Sequence, residues 1–543
     1  MPALFRWMAV STAMFAAPVC SLVWALDNPP VVEVTGGRIQ GSVLERGGAI
    51  FKGIPFAQPP VESLRWREPQ PVKSWTGLRD ATSFGAPCSQ NSGNGRTLEN
   101  SSEDCLFLNV WTPEWPPRSL KPVMFWMHGG GNFGGAAGSP NFDGENLARH
   151  GVVIVSANYR LTAFGFFAHP ELTRESAHHA SGNYGLMDQI AALRWVRANI
   201  ARFGGDSGNV TIFGQSAGAV DATVLMTSPL SAGLFDKVIA ESGTVTRNPD
   251  AATLAMTALG PVMAVKSGDV TYSDAPALAE AEKSGEELAR TLGGPATDSL
   301  HYLRALPAVD ILKATAAPHK TIGPANGVVV DGWVLPRPPA EVFATGHEHR
   351  VPLLAGNNSR ERSPRTTPDD LAGAIQAMYG PLAPRALALY HPTDSVDPLY
   401  GDAAAQWVVD TMYRCPVVAE LLWHAAAGNP AWEYQFDRAA PGREAIGAVH
   451  GAEVPYVFGT LISTGAVKYS EVDRGISQVI QEYWTNFAKT GNPNGDKLPA
   501  WRGFSEPARA YLEFTSDGPV MGEGLRPPFC GLYVENVKRL MKR

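Results

Sequence analysis

Gly214-Gln-Ser-Ala-Gly218 sets a serine between two glycines, just after the β-branched and aromatic run Val210-Thr-Ile-Phe213 and just before a small-residue helical stretch. Read as strand, sharp turn and helix, this is a nucleophile elbow. The glycines omit the Cβ atoms that would collide where strand and helix meet, and the turn lifts the Ser216 hydroxyl clear of the sheet. The helix N-terminus behind it supplies backbone N–H groups and a favourable field for a developing anion. An ordinary turn could carry the same five residues, so the flanking strand and helix patterns are what support the reading.

A serine hydroxyl is a weak nucleophile until a neighbouring base takes its proton. Of twelve histidines, His450 stands late in the chain, in Val449-His-Gly-Ala-Glu-Val-Pro-Tyr456, between a strand near Phe436 and a helix near Gly475. In hydrolases of this strand order the base comes last and the acid precedes it. Glu361 ends Leu354-Ala-Gly-Asn-Asn-Ser-Arg-Glu361, which follows a short strand and suits a carboxylate that orients an imidazole. A surface ion pair with Arg360 or Arg362 is the competing reading of Glu361. His128-Gly-Gly-Gly131 follows an apolar run ending at Met127, and consecutive glycines can turn their amides toward one point. Gly130 and Gly131, with the Ala217 amide, would then form a three-donor oxyanion hole.

The elements that must position these groups follow from the apolar runs. Val31–Val34, 37–41 and Ala49–Phe51 read as an N-terminal β-meander, and 88–104 as a polar loop. Leu106–Trp111, Val123–Met127 and Val152–Ser156 have the length and composition of buried strands, and 186–203 that of a helix. Beyond the elbow, Lys237–Ala240, Val351–Leu354, Trp432–Phe436 and Ala510–Phe514 continue the strands, with an amphipathic helix over 475–490. Strands alternating with helices predict an α/β fold whose central, mostly parallel sheet is covered on both faces. The Ala-rich stretch at about 250–345 predicts a helical cap inserted between two strands. No repeat or linker-like stretch interrupts the chain, so residues 26–543 read as one catalytic domain.

Hydrophobic residues make up 44% of the 543 residues and charged residues 18%, ample for a large core. A net charge of −7 without a basic run disfavours nucleic acid and acidic membrane surfaces as partners. Arg6 and the apolar run from Trp7 to Ala25 read as a signal peptide, too short to be a convincing membrane anchor. Its removal predicts a secreted or periplasmic protein and leaves Cys88, Cys105, Cys415 and Cys530, an even number for which three disulfide pairings are open.

Several of these stretches, taken in order, carry a likeness. Gly53-Ile-Pro-Phe-Ala57, Ser102-Glu-Asp-Cys-Leu-Phe-Leu-Asn109, His128–Gly131, Gly182-Asn-Tyr-Gly-Leu-Met-Asp-Gln189, Phe203-Gly-Gly-Asp206, the elbow, Glu241-Ser-Gly243 and His450–Tyr456 resemble the type B carboxylesterase and cholinesterase family of α/β hydrolases over nearly the whole mature length. The resemblance implies a serine esterase with nucleophile Ser216, acid Glu361 and base His450, and an oxyanion hole of Gly130, Gly131 and Ala217. It also implies disulfides Cys88–Cys105 and Cys415–Cys530, and Ser242 in support of the acid. No metal or organic cofactor is called for, and the partner is a small-molecule ester, acted on by a monomer or homodimer.

Three positions depart from the family pattern. Gln215 stands where glutamate is usual, which removes a negative charge beside the nucleophile. The loop between Cys88 and Cys105 holds no tryptophan, which disfavours choline esters. Arg362 replaces the usual glycine after the acid, and with Arg360 it could compete with His450 for Glu361. A noncatalytic binding protein on the same scaffold is the alternative from another class, and a lipase the alternative among enzymes; the presence of Ser216, Glu361 and His450 together favours catalysis.

Overall fold

The computed structural model describes residues 29–92, 96–246, 275–315, 327–361, 368–391, 393–465 and 467–541. The expected signal peptide, Arg362 and part of the expected cap lie outside these residues.

The apolar runs form strands β1 (Val31–Val34), β2 (Gly37–Gln40), β3 (Ser42–Val43), β4 (Ala49–Pro55), β5 (Leu78–Asp80), β6 (Phe107–Thr112), β7 (Lys121–Met127) and β8 (Val153–Ala157). After them come β9 (Gly205–Gln215), β10 (Lys237–Glu241), β11 (Leu353–Asn358), β12 (Ala431–Phe436), β13 (Ala510–Thr515) and β14 (Gly518–Glu523). Eleven strands make one sheet in the order β14-β13-β12-β11-β10-β9-β7-β8-β6-β4-β3. From β13 through β8 every neighbour is parallel, and the pairings outside that block are antiparallel. The central strands are buried on both faces, which explains why they read as unbroken apolar runs. Alternate residues serve opposite layers: Val123, Phe125 and Met127 join the core that holds Leu186, Ile190 and Ala222, whereas Met124 and Trp126 join the one that holds Ile480, Trp484 and Phe487.

The expected N-terminal meander is divided between two sheets. Strands β1 and β2 pair with each other and, through β2, with β5 in a separate three-stranded sheet, whereas β3 and β4 extend the large one. The chain crosses at Gly41, where a Cβ would sit 2.4 Å from the Ile50 carbonyl oxygen. The helix expected at 475–490 runs Glu471–Thr490, starting four residues earlier than anticipated because Ser470 and Asp473 form a capping box there. The helix expected at 186–203 divides into Tyr184–Asn199 and a 3-10 turn that ends at Gly204, whose φ is 81°.

Between β10 and β11 the described part of the insertion contains helices Leu278–Thr291, Ser299–Ala305, Ala308–Thr315 and Pro339–Ala344. Polar ties hold it to the body. Arg65 donates to the carbonyls of Leu303 and Leu306 at 2.9 and 2.8 Å, and Asn183 exchanges two hydrogen bonds with the Val329 backbone. Disulfides join Cys88 to Cys105 and Cys415 to Cys530.

Candidate active site

Ser216 sits between the end of β9 and the elbow helix Ala217–Leu225 with φ 57° and ψ −121°, a region L-residues rarely occupy. The two motif glycines make that turn sterically feasible. A Cβ at Gly214 would lie 2.5 Å from the Gly218 carbonyl, and one at Gly218 only 2.1 Å from Met127 O. The hydroxyl therefore stands at the carboxyl edge of the sheet, partly open to solvent in an otherwise buried neighbourhood.

The residues distant in sequence converge on it. Nε2 of His450 lies 2.8 Å from Ser216 Oγ, and Nδ1 of the same ring lies 2.6 Å from Glu361 Oε2. With Nδ1–H donated to the carboxylate, Nε2 is left to accept the serine proton. Glu361 is 1% exposed, so its contact with the imidazole is shielded from water. Backbone bonds lace the two loops together: His450 N–H donates to Glu361 O at 2.8 Å and Arg360 N–H to Ala448 O at 3.1 Å. The Arg360 guanidinium is turned away from the carboxylate and donates to the carbonyls of Asp397, Pro398 and Leu399. Its expected competition with His450 is absent for that reason.

Gly130 and Gly131 adopt φ values of 115° and 67° in the loop after β7, and a Cβ on the adjacent Gly129 would lie 3.1 Å from Ser216 Cβ. That places the glycine loop against Ser216. Tyr159 O–H donates to His128 O at 2.6 Å and its ring stacks on His128, centroid to centroid 4.5 Å. Burial holds the His128 imidazole down at about 4, neutral at physiological pH. Gln90 clamps the far end of the loop through two 2.8 Å bonds to the Gly135 backbone. Gln215 brings its carboxamide Nε2 within 3.3 Å of His450 Nε2, beside the serine contact.

Other contributors have no motif of their own. Asn358 donates its backbone N–H to Glu361 Oε1 at 2.7 Å and its side-chain Nδ2 to Glu453 Oε2 at 2.5 Å, so one residue spans two carboxyls. Ser242, expected beside the acid, donates to Glu453 Oε1 at 3.5 Å instead. The ring of Tyr413, carried on a π-helical turn at Asp410–Arg414, lies 5.0 Å from that of His450. Glu453 was within sight in the His450 motif, and Asn358 in the run before Glu361; nothing in either stretch announced that they meet.

Burial raises Glu453 to about 7 and lifts Glu241 well above its ordinary value, with each carboxyl close to another. Glu420 and Glu433, also fully buried, are each pushed up to about 8. These groups hold their protons in the fold at pH values where the unfolded chain has released them. Stability is therefore expected to fall as pH rises from about 4 through 8 and then to level off. A series of melting curves across that range checks this, and Glu433→Gln should flatten the slope.

The chain matches the model of the carboxylesterase family over residues 28–532. It is 33% identical to fumonisin B1 esterase of Sphingopyxis macrogoltabida, over 95% of this chain and 92% of that one. It is 34% identical to para-nitrobenzyl esterase of Bacillus subtilis, over 90% and 95%. Among solved structures, a PNB esterase superposes with a TM-score of 0.75 at 30% identity, covering 94% of this chain and all of the other. A carboxylesterase of Geobacillus stearothermophilus gives a TM-score of 0.77 at 31% identity, covering 93% and 99%. With an elbow serine at the edge of a large mixed sheet and these relatives along nearly its full length, the chain belongs to the type B carboxylesterase family of α/β hydrolases and is a serine-type carboxylic-ester hydrolase.

Proposed function

We propose that the protein is an exported carboxylesterase that works through an acyl-enzyme, with Ser216 as nucleophile, His450 as general base and acid, and Glu361 as the carboxylate that orients and stabilises the imidazolium. Ser216 Oγ attacks the ester carbonyl while its proton passes to His450 Nε2. The carbonyl π electrons move onto oxygen, and the amides of Gly130, Gly131 and Ala217 receive that anion. Collapse expels the alcohol, which takes the proton from Nε2. Water then repeats the sequence on the acyl-serine and releases the acid. The hydrogen-bonded series Glu361–His450–Ser216, with links of 2.6 and 2.8 Å, is the observation that carries this reading.

A fluorophosphonate probe tests it: one adduct per folded chain, located at Ser216 and lost in Ser216→Ala, is expected. No adduct in folded protein would overturn the assignment. Two disulfides and the apolar leader support export, and the N-terminal sequence of protein recovered from the periplasm or medium, beginning near Leu26, checks it. Residues 26–543 act as one domain in this reading, with the helical insertion at about 250–345 as the cap that shapes the pocket for a small ester. Esters varied separately in acyl length and alcohol size would define that pocket.

A further inference from the structure

The proposed oxyanion hole is built from two pieces of chain that no peptide bond joins directly. Ala217 belongs to the elbow helix, whereas Gly130 and Gly131 belong to the loop after β7. Three amides help a tetrahedral anion only if they meet it at hydrogen-bond distance together, so the offset between loop and helix has to be fixed to a fraction of an ångström.

A buried polar bridge spans that gap. Asn132, the residue after Gly131, is 2% exposed, has φ 60° and accepts the Thr162 N–H on its carbonyl at 2.7 Å. Its Nδ2 donates at 3.1 Å to Oδ1 of Asp221, in the middle of the elbow helix. The other oxygen of Asp221 accepts from Gln189 Nε2 at 2.6 Å, which ties the same carboxyl to the helix Tyr184–Asn199. Asp221 is 0% exposed and its two hydrogen-bond donors are neutral amides. Tyr159, which holds the loop at His128, is the titratable side chain facing it, and burial raises Asp221 to about 7.

A leucine in that place would fill the space without desolvating a carboxyl. What the carboxyl adds is direction: two acceptor atoms, each aimed at one donor, specify a single seating of the loop on the helix. From this geometry we infer that Asp221 is a positioning residue for ester hydrolysis, acting through Asn132 to align the Gly130 and Gly131 amides with that of Ala217. It touches no substrate atom. The inference rests on the oxyanion-hole reading above, and its signature is a defect confined to the anionic intermediate.

The test compares Asp221→Ala and Asp221→Asn with the unaltered enzyme on a soluble p-nitrophenyl ester, with rates expressed per fluorophosphonate-labelled serine so that misfolded chains are not counted. Asp221→Ala is expected to lower kcat about 10- to 100-fold with KM within about two-fold. A trifluoromethyl ketone, whose serine adduct carries the same oxyanion, should lose affinity by the same factor as kcat/KM. Asp221→Asn keeps an acceptor for Asn132 and should recover to within about five-fold of the unaltered rate. If Asp221→Ala yields no folded protein, Asn132→Ala removes the same bond from the loop side and carries the same expectation. Unchanged kcat, a fall in kcat with unchanged ketone affinity, or no recovery in Asp221→Asn would each overturn the inference. Failure of the unaltered enzyme to label at Ser216 would instead sink the catalytic assignment on which it rests.

Discussion

Alanine at position 216 is expected to lower kcat on a soluble ester by roughly 10⁴- to 10⁶-fold. The bond-making atom is gone, and what survives is binding and the amide donors, which assist only a direct attack by water. His450→Ala should cost nearly as much, because Ser216 Oγ has its 2.8 Å proton acceptor there and, among the described residues, no other titratable side chain is hydrogen-bonded to it. The double variant should be no slower than either single one, since the pair acts as a unit. Glu361→Gln should cost roughly 10⁴-fold, because a carboxamide can present N–H to Nδ1 and favour the tautomer that blocks Nε2. Burst kinetics with a p-nitrophenyl ester separate the steps: the burst should vanish in Ser216→Ala. A Ser216→Ala enzyme retaining a tenth of the unaltered rate would show that the chemistry lies elsewhere.

The second large effect belongs to Gly130. Its φ of 115° suits glycine, and an added Cβ would fall 2.0 Å from the Gly134 carbonyl oxygen, so Gly130→Ala must shift the loop that presents the amide. Losing one oxyanion donor costs about 10²- to 10³-fold in kcat, and that is the expected loss here, accompanied by a lower melting temperature. Gly134→Ala is the control. Its nearest neighbour would be a single side-chain atom, Gln90 Oε1 at 3.2 Å, which has to give by only a few tenths of an ångström, and its rate should stay within about three-fold. Equal losses in the two variants would point to general softening of the loop and away from a lost donor.

The parts of this site that were readable in advance are those whose chemistry imposes a local pattern. Gly214 and Gly218 must be glycine because a Cβ would strike backbone within 2.5 Å, so the elbow writes itself into five adjacent residues. The buried parallel strands likewise needed continuous apolar runs. Asn132, Asp221 and Asn358 left no such trace, since the side-chain bonds Asn132–Asp221 and Asn358–Glu453 join residues 89 and 95 positions apart and the burial of all three is set by packing. Arg360 misled for the same reason. Beside Glu361 in sequence it looked like a competitor, yet the carbonyls of Asp397 to Leu399 arrive from elsewhere and take up its donors. The split of β1 to β4 between two sheets followed from long-range pairing of β4 with β6, which alternation within the segment does not encode.

The paired backbone bonds between 360–361 and 448–450 couple the loop bearing the imidazole to the loop bearing Glu361, so opening one is expected to disturb the other. Ser359 N–H also donates to Phe436 O at 2.9 Å and Ser359 O accepts from Arg414 at 2.8 Å, so the coupled loops share an anchor on the body of the fold. On warming, hydrogen exchange at the amides of Arg360 and His450 should therefore accelerate together, in step with irreversible inactivation, while the elbow amides remain protected to higher temperature.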